Sequence, residues 1–334
     1  MSRDSQNLVT RLADLHLVVW GDFIADEFLY GEITRVSREA PVLILKHRDH
    51  ALVPGGGANT AANLAALGAS VSLVGVIGDD EAGAELMRQF AALRMNISGV
   101  LRVRQRQTPT KTRILAGHAH TARQQVIRLD REPAPLESPA LRRRLLANVA
   151  RLARRSHGLL LCDYGYGSVW PAGWQSLRPQ LPPGLPVTVD ARAGVTAYAG
   201  VAAATPNEEE VEDLYHLAIG HDEIRLEEAG RRMLRELESL GLLITRGRDG
   251  MALFLPERPT LHIPIFGQDQ AVDVTGAGDT VMALFTAALA AGADMETATR
   301  LANCAAGLVV MKRGTATLSP DELAPAWAQA QAQP

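Results

Sequence analysis

Short apolar runs alternate along the chain with segments whose apolar positions recur every three to four residues. The runs Leu17–Trp20, Val71–Val76, Leu159–Cys162, Val187–Val189, Ala202–Thr205 and Leu242–Thr245 predict strands. They lack strict alternation, as expected of parallel strands covered on both faces. Between them, helical spacing predicts helices over Ala58–Leu67, Glu81–Met95, Pro139–Arg155, Glu208–Ala218, Ile224–Leu240 and Gly278–Ala291. Gly68, Gly241 and Gly292 close three of these, because glycine accepts the left-handed backbone just past a helix. Strand alternating with helix implies right-handed crossovers and a doubly wound, mostly parallel sheet.

Two stretches break this rhythm. Residues 24–48 and 101–130 are rich in Arg and lack helical periodicity, and they predict antiparallel strands projecting from the main sheet as a small lid. Ordinary surface hairpins fit the same pattern. The Ala/Gln/Pro tail after Leu323 is expected to fray.

At 334 residues and 47% hydrophobic, the chain can bury one large α/β core or two smaller ones. A net charge of −3 leaves no nucleic-acid footprint, and Arg142 to Arg144 with Arg151, Arg154 and Arg155 read as a solvated helix face. Cys162 and Cys304 lie in apolar runs and predict buried free thiols of a reducing compartment. The polar N-terminus lacks a signal core, and no apolar run approaches the roughly 20 residues that span a bilayer. A cytoplasmic protein without a membrane partner is the expectation.

The predicted strands end in polar residues: Gly21-Asp22, Asp163, Asp190, Pro206-Asn207 and Arg246-Gly247. Open α/β sheets bind ligands beyond the carboxyl ends of their strands, which makes this edge the candidate site, although every strand must end in something polar. At the far end of the chain, "DVTGAGDT" (Asp273–Thr280) leads straight into an apolar helix. Helix N-termini carry unpaired N–H groups and partial positive charge, so Thr275, Gly276, Ala277 and Gly278 can present consecutive donors to a phosphoryl group. Asp279 in the first turn is then placed to take a proton from an attacking hydroxyl. An aspartate that merely caps the helix would occupy the same position. Likewise, Gly55 and Gly56 let backbone approach a sugar and Asp22 and Asn59 offer hydroxyl partners, while a tight turn before a capped helix fits the same residues.

Taken with three further segments, "DVTGAGDT" resembles the C-terminal signature of the PfkB/ribokinase sugar kinases. "PGGGANTAANLAALGASVSLVGVIGDD" (Pro54–Asp80) resembles the N-terminal signature, "TPNEEE" (Thr205–Glu210) the Asn-x-x-Glu metal and phosphate motif, and "LLITRGRDG" (Leu242–Gly250) the nucleotide strand and loop. The four stand in the family's order across roughly residues 15–322. The resemblance implies a ribokinase-like three-layer αβα fold with a mostly parallel central sheet and a small β lid, in one kinase domain spanning residues 1–334. It further implies ATP and Mg²⁺, with Asp279 as catalytic base and Thr275 to Gly278 as anion hole. Asn207 and Glu210 would organise Mg²⁺ largely through water. Asn207, Thr245, Gly247, Gly250 and Asn303 would meet the nucleotide, and Asp22, Asp26, Gly55, Gly56 and Asn59 the sugar. Asp273 with Lys312–Thr317 would form a monovalent-cation site for K⁺.

A narrower resemblance runs through "GDFIADEFLYGEITRVSREAPV" (Gly21–Val42), "TPTKTRILA" (Thr108–Ala116), "QQVIRLDRE" (Gln124–Glu132), "DYGYG" (Asp163–Gly167) and "KRGTATLSPDEL" (Lys312–Leu323). These segments are similar to kinases that phosphorylate the anomeric hydroxyl of D-glycero-β-D-manno-heptose 7-phosphate. A sugar already carrying a phosphate needs cations at its far end, and Arg35, Lys111, Arg113 and Arg128 are the candidates; basic residues on exposed strands are the plainer reading of each. Two positions depart from that pattern: Tyr166 stands where those kinases carry Lys, and Arg38 where they carry Pro. The nucleotidylyltransferase often fused to such kinases has no counterpart here, so a stand-alone kinase is expected. Uncovered lid edges imply a homodimer formed through the lid strands. The alternatives are a kinase of another sugar and a catalytically silent sugar sensor. A nicotinamide oxidoreductase is excluded, since no Gly-x-Gly-x-x-Gly turn follows the first strand.

Overall fold

The computed structural model describes residues 8–117, 123–268 and 270–332. In chain order the strands are β1 His16–Gly21, β2 Phe23–Val36, β3 Leu43–Gly56, β4 Ser70–Gly78, β5 Asn96–Val103, β6 Thr110–Gly117 and β7 Gln124–Arg131. They continue as β8 Gly158–Asp163, β9 Val187–Ala191, β10 Ala203–Ala204, β11 Gly241–Thr245, β12 Met251–Phe254 and β13 Leu261–Ile263. Nine of them form one sheet in the order β13-β12-β11-β10-β9-β8-β1-β4-β5, parallel except at one edge, where β12 pairs antiparallel with both β11 and β13.

Both faces of this sheet are covered, which is why the strand sequences do not alternate. On β1, Leu17 and Val19 pack into one core with the helices Gly57–Ala66, Ala277–Ala290 and Met295–Val309. Val18 and Trp20 pack into the other, against Pro139–Ala153, Pro171–Leu177 and Glu223–Glu236. The chain runs outward from β1 through β4 to β5 on one side, and from β8 through β9, β10 and β11 on the other. The β1/β8 junction is therefore a topological switch point, where open α/β sheets leave a crevice beyond the strand ends.

The other four strands form a small sheet, β3-β2-β6-β7, with β2 and β6 parallel and the two outer pairs antiparallel. The lid strands are thus present, but residues 101–103 belong to β5 of the large sheet rather than to the lid, and 118–122 lie outside the described residues. The tail also differs from expectation. Pro320–Ala332 is a helix, held down by buried Leu323 and Trp327, whose spacing of four places both on one face. Its Ala/Gln composition is helix-forming, and two apolar anchors suffice to dock it. Leu323→Ala is expected to cost about 2 kcal/mol, seen as a melting temperature lower by a few degrees in a thermal melt. Cys162 and Cys304 are buried free thiols, as read from their apolar surroundings. Among the described residues no helix is long and apolar enough to cross a membrane.

Candidate active site

Beyond the switch point, two cavities meet at Thr245 and Gly278, which line both. The first, of about 320 Å³, is walled by Asp26 of β2, Lys111 and Arg113 of β6, Arg128 of β7, Tyr164 after β8, and Asp190 and Arg192 at the end of β9. Gly56 at the end of β3, Thr205, Asn207 and Glu210 after β10, Thr245 of β11, and Thr275, Gly276, Gly278 and Asp279 complete it. The second, of about 260 Å³, is an apolar slot between Ile265, Phe266, Val274, Val281 and Val310, with Gly247, Gly250 and Asn303 on its wall.

Asp279 does not cap its helix. The helix Ala277–Ala290 starts at Gly276 without a side-chain cap, and the Asp279 carboxylate instead accepts from Asn59 Nδ2 at 2.8 Å and from the Tyr164 hydroxyl at 2.5 Å. Burial pushes its carboxyl up to about 6, against these two hydrogen bonds, which stabilise the charged form. Above that pH it is an ionised, enclosed acceptor. Gly276 is left-handed at φ 78°, and a Cβ there would lie 2.4 Å from Asn59 Nδ2, so the turn and its approach to Asn59 both require glycine. The run of free amides is shorter than expected. Asp273 Oδ1 accepts from the Thr275 amide at 2.9 Å and the Val274 carbonyl from the Ala277 amide at 3.2 Å. Gly276 and Gly278 are left as the donors of this turn.

Asn207 and Glu210 form a reciprocal cap on the helix Glu208–Tyr215: Asn207 Oδ1 accepts from the Glu210 amide at 2.8 Å, and Glu210 Oε2 from the Asn207 amide at 2.9 Å. Beside them Thr205 Oγ1 is buried without a hydrogen-bond partner. Burial raises the Glu210 carboxyl, and it raises Asp190 well above its usual range with help from the charges of Glu210 and Asp279. Two carboxyls that resist ionisation next to an orphaned hydroxyl are a donor set that suits a small hard cation and its waters.

The remaining predicted residues divide. Asp22 does not line either cavity; it lies behind, where Oδ2 accepts from the amides of Tyr164 and Tyr166 and Oδ1 from Ser168, and so shapes the loop after β8. Gly55 also stands back, because a Cβ there would strike the Asp26 carboxyl at 2.5 Å. Asp26 is paired with Arg113 at 2.6 Å, both largely buried. Arg128 bonds Asp130 at 3.0 Å, and Lys111 Nζ sits 5.7 Å from the centre of the Tyr164 ring. Arg35 is exposed near the far end of the β2–β3 hairpin and does not line the cavity that the other three cations share. Tyr166, in the place of the usual Lys, is buried and donates to Glu132 at 3.0 Å. Asn303 donates to the Pro264 carbonyl at 2.8 Å and so holds the wall of the apolar slot. Asp273 accepts from the Thr275 and Gly314 amides; burial raises its carboxyl, but these bonds outweigh it and the net shift is downward. Sequence reasoning named Asp190 only as a strand end and missed Tyr164 and Arg192 as site residues, though "DYG" and "DAR" follow predicted strand ends at the very edge where ligands collect.

The chain matches the pfkB family carbohydrate kinases over residues 15–164 and 173–322. It belongs to that family. It is 37% identical over 323 residues to the bifunctional protein HldE of Geobacter metallireducens, covering 96% of this chain and 64% of the relative. The pfkB chain thus spans somewhat under two thirds of that relative's length. Among solved structures, phosphofructokinase-2 from Escherichia coli in complex with potassium superposes with a TM-score of 0.77 at 18% identity, over 95% of this chain and 99% of that one. Arabidopsis thaliana ribokinase, complexed with ribose and ATP, superposes at 0.72 and 20% identity, over 94% and 98%. The fold of this chain is ribokinase-like, and the family it belongs to is one of carbohydrate kinases.

Proposed function

We propose that this kinase transfers the γ-phosphoryl group of ATP to the anomeric hydroxyl of D-glycero-β-D-manno-heptose 7-phosphate, giving the 1,7-bisphosphate. The observation that carries the substrate is the ring of cations on the acceptor cavity: Lys111, Arg113, Arg128 and Arg192 share its wall with Asp279. Arg113 is paired with Asp26 and Arg128 with Asp130, so a sugar phosphate would draw its charge-assisted donors chiefly from Lys111 and Arg192, which a plain sugar would not need. Arg192 supplies a charge at the cavity that lacks the usual lysine at Tyr166. The heptose-kinase motifs and the HldE likeness support the same choice.

In this reading the nucleoside lies in the apolar slot by Asn303, and its phosphates follow Thr245, Gly247 and Gly250 to the amides of Gly276 and Gly278. Asp279 takes the hydroxyl proton as the oxygen attacks, and the two amides stabilise the charge that gathers on the transferred group. Mg²⁺, when bound, would neutralise phosphate charge; Asp190, Asn207 and Glu210, with the unpartnered Thr205 hydroxyl, are the residues that would hold it and its waters. A K⁺ ion would sit by Asp273 and the 312–317 loop, where the carboxylate stays ionised but is already engaged by two amides. A panel of heptose 7-phosphate, fructose 6-phosphate and the unphosphorylated sugars, read as ATP-dependent product, tests the assignment. A kcat/KM for heptose 7-phosphate well above all others is expected; equal turnover of a plain sugar would overturn it.

The small sheet supports a homodimer of this cytoplasmic enzyme. Val36, Leu43, Val126, Ile127 and Leu129 are exposed on its strands, an apolar surface with open edges that a second copy would cover. Sedimentation at micromolar concentration is expected to give twice the 35.9 kDa chain mass; a monomer would refute the pairing.

A further inference from the structure

Asp22 and Gly56 seat the side chain of Tyr164, a residue of the "DYGYG" segment to which sequence reasoning assigned no role. Asp22 gathers the amides of Tyr164, Tyr166 and Ser168 and so folds the loop after β8 back over the crevice. Gly56 leaves room for the Tyr164 ring, since a Cβ there would lie 3.0 Å from its Cε2. The ring is thereby aimed at Asp279, and its hydroxyl donates to Oδ1 while Asn59 donates to Oδ2.

We infer that Tyr164 is a positioning residue, whose phenol fixes the Asp279 carboxylate between two donors and stabilises its charge for proton abstraction. The inference rests on the reading of Asp279 as the base. Each carboxylate oxygen has two lone pairs, so a donor on each still leaves one free for the sugar hydroxyl. A buried carboxylate with no donors would tend to stay protonated and be useless as a base. The charged or titratable groups facing Asp279 do not remove that need. Asp26 of β2 pushes its proton affinity up, Lys111 of β6 pulls it down, and Asp190 of β9 and Cys162 of β8 are themselves pushed well up by burial. Glu210, Arg113 and Arg192 face the same cavity. Tyr164 itself is raised well above its ordinary value, by burial first and then by the neighbouring negative charges, so it remains a donor throughout the working range.

The test is kcat against pH from about 5 to 9 for the wild type and Tyr164→Phe. The wild-type acid limb is expected near pH 6, where the Asp279 carboxyl titrates. Losing the phenol removes an interaction that favours the charged form, so the limb should move up by roughly one pH unit. Turnover then falls about tenfold at pH 5.5 and stays within about threefold at pH 9, with the KM for ATP unchanged. Replacing Tyr164 with a ring-fluorinated tyrosine, a stronger donor of nearly the same shape, should move the limb downward. An equal loss at every pH, or an unmoved limb in both variants, would overturn the inference. A wild-type rate in Asp279→Asn would instead sink the base assignment itself, so the two failures are distinguishable.

Discussion

Asp279→Asn is expected to bind ATP and sugar nearly as the wild type does, and to turn over roughly 10²- to 10⁴-fold more slowly. Asparagine has the same outline, so it leaves the turn at Gly276 and the contacts with Asn59 and Tyr164 sterically intact, but it cannot accept a proton in this range. The stability consequence runs the other way. A carboxyl raised to about 6 by burial binds its proton more tightly in the folded chain than in the unfolded one. Stability is therefore lost as the pH rises from 3.8, where the unfolded carboxyl ionises, to about 6, the loss is complete above that, and a neutral amide removes it. At pH 8 the variant should melt no lower than the wild type, and a higher midpoint fits. Steady-state kcat, substrate dissociation constants and a thermal melt check all three parts. A slow enzyme that is also unstable would point to damage rather than to loss of a base.

Lys111→Met should raise the KM for a 7-phosphorylated heptose by roughly 10- to 100-fold, the range of one charged hydrogen bond. For the unphosphorylated heptose the change should stay within about threefold. Lys111 lines the acceptor cavity over the Tyr164 ring, and burial lowers its ammonium, the sign of a cation held short of water. Methionine keeps the length and the ring contact while removing the charge. Arg113→Ala should discriminate in the same direction, but it would also strand the buried Asp26 carboxylate, a loss that destabilises by several kcal/mol whatever the substrate. Equal effects on the phosphorylated and plain sugar would remove the phosphate from this wall.

The strands and helices were legible because each carries its own period. Leu17 to Trp20 face two cores in alternation, so a run without polar breaks had to be a strand covered on both sides. The tail helix was missed because its composition reads as low complexity, and only tertiary docking of Leu323 and Trp327 makes it hold. In the site, the glycine turn before Asp279 announced itself through residues that a helix otherwise avoids. What the carboxylate does was not legible, since its partners are Asn59, 220 positions away, and Tyr164, 115 away. Capping and proton abstraction look alike in one dimension. Asp22 and Arg35 show the converse: a residue type suited to sugar or phosphate, in the right segment, which the backbone carries behind the cavity or beyond it. Arg192 was missed because one arginine after a strand end has no pattern around it.

A ternary complex with heptose 7-phosphate and a non-hydrolysable ATP analogue shows whether Asp279 reaches the hydroxyl that attacks. The anomeric oxygen is expected within about 3.2 Å of an Asp279 carboxylate oxygen, with the terminal phosphoryl group against the Gly276 and Gly278 amides. An anomeric oxygen beyond reach of Asp279, or against a different base, would rule out Asp279 as the group that takes the proton.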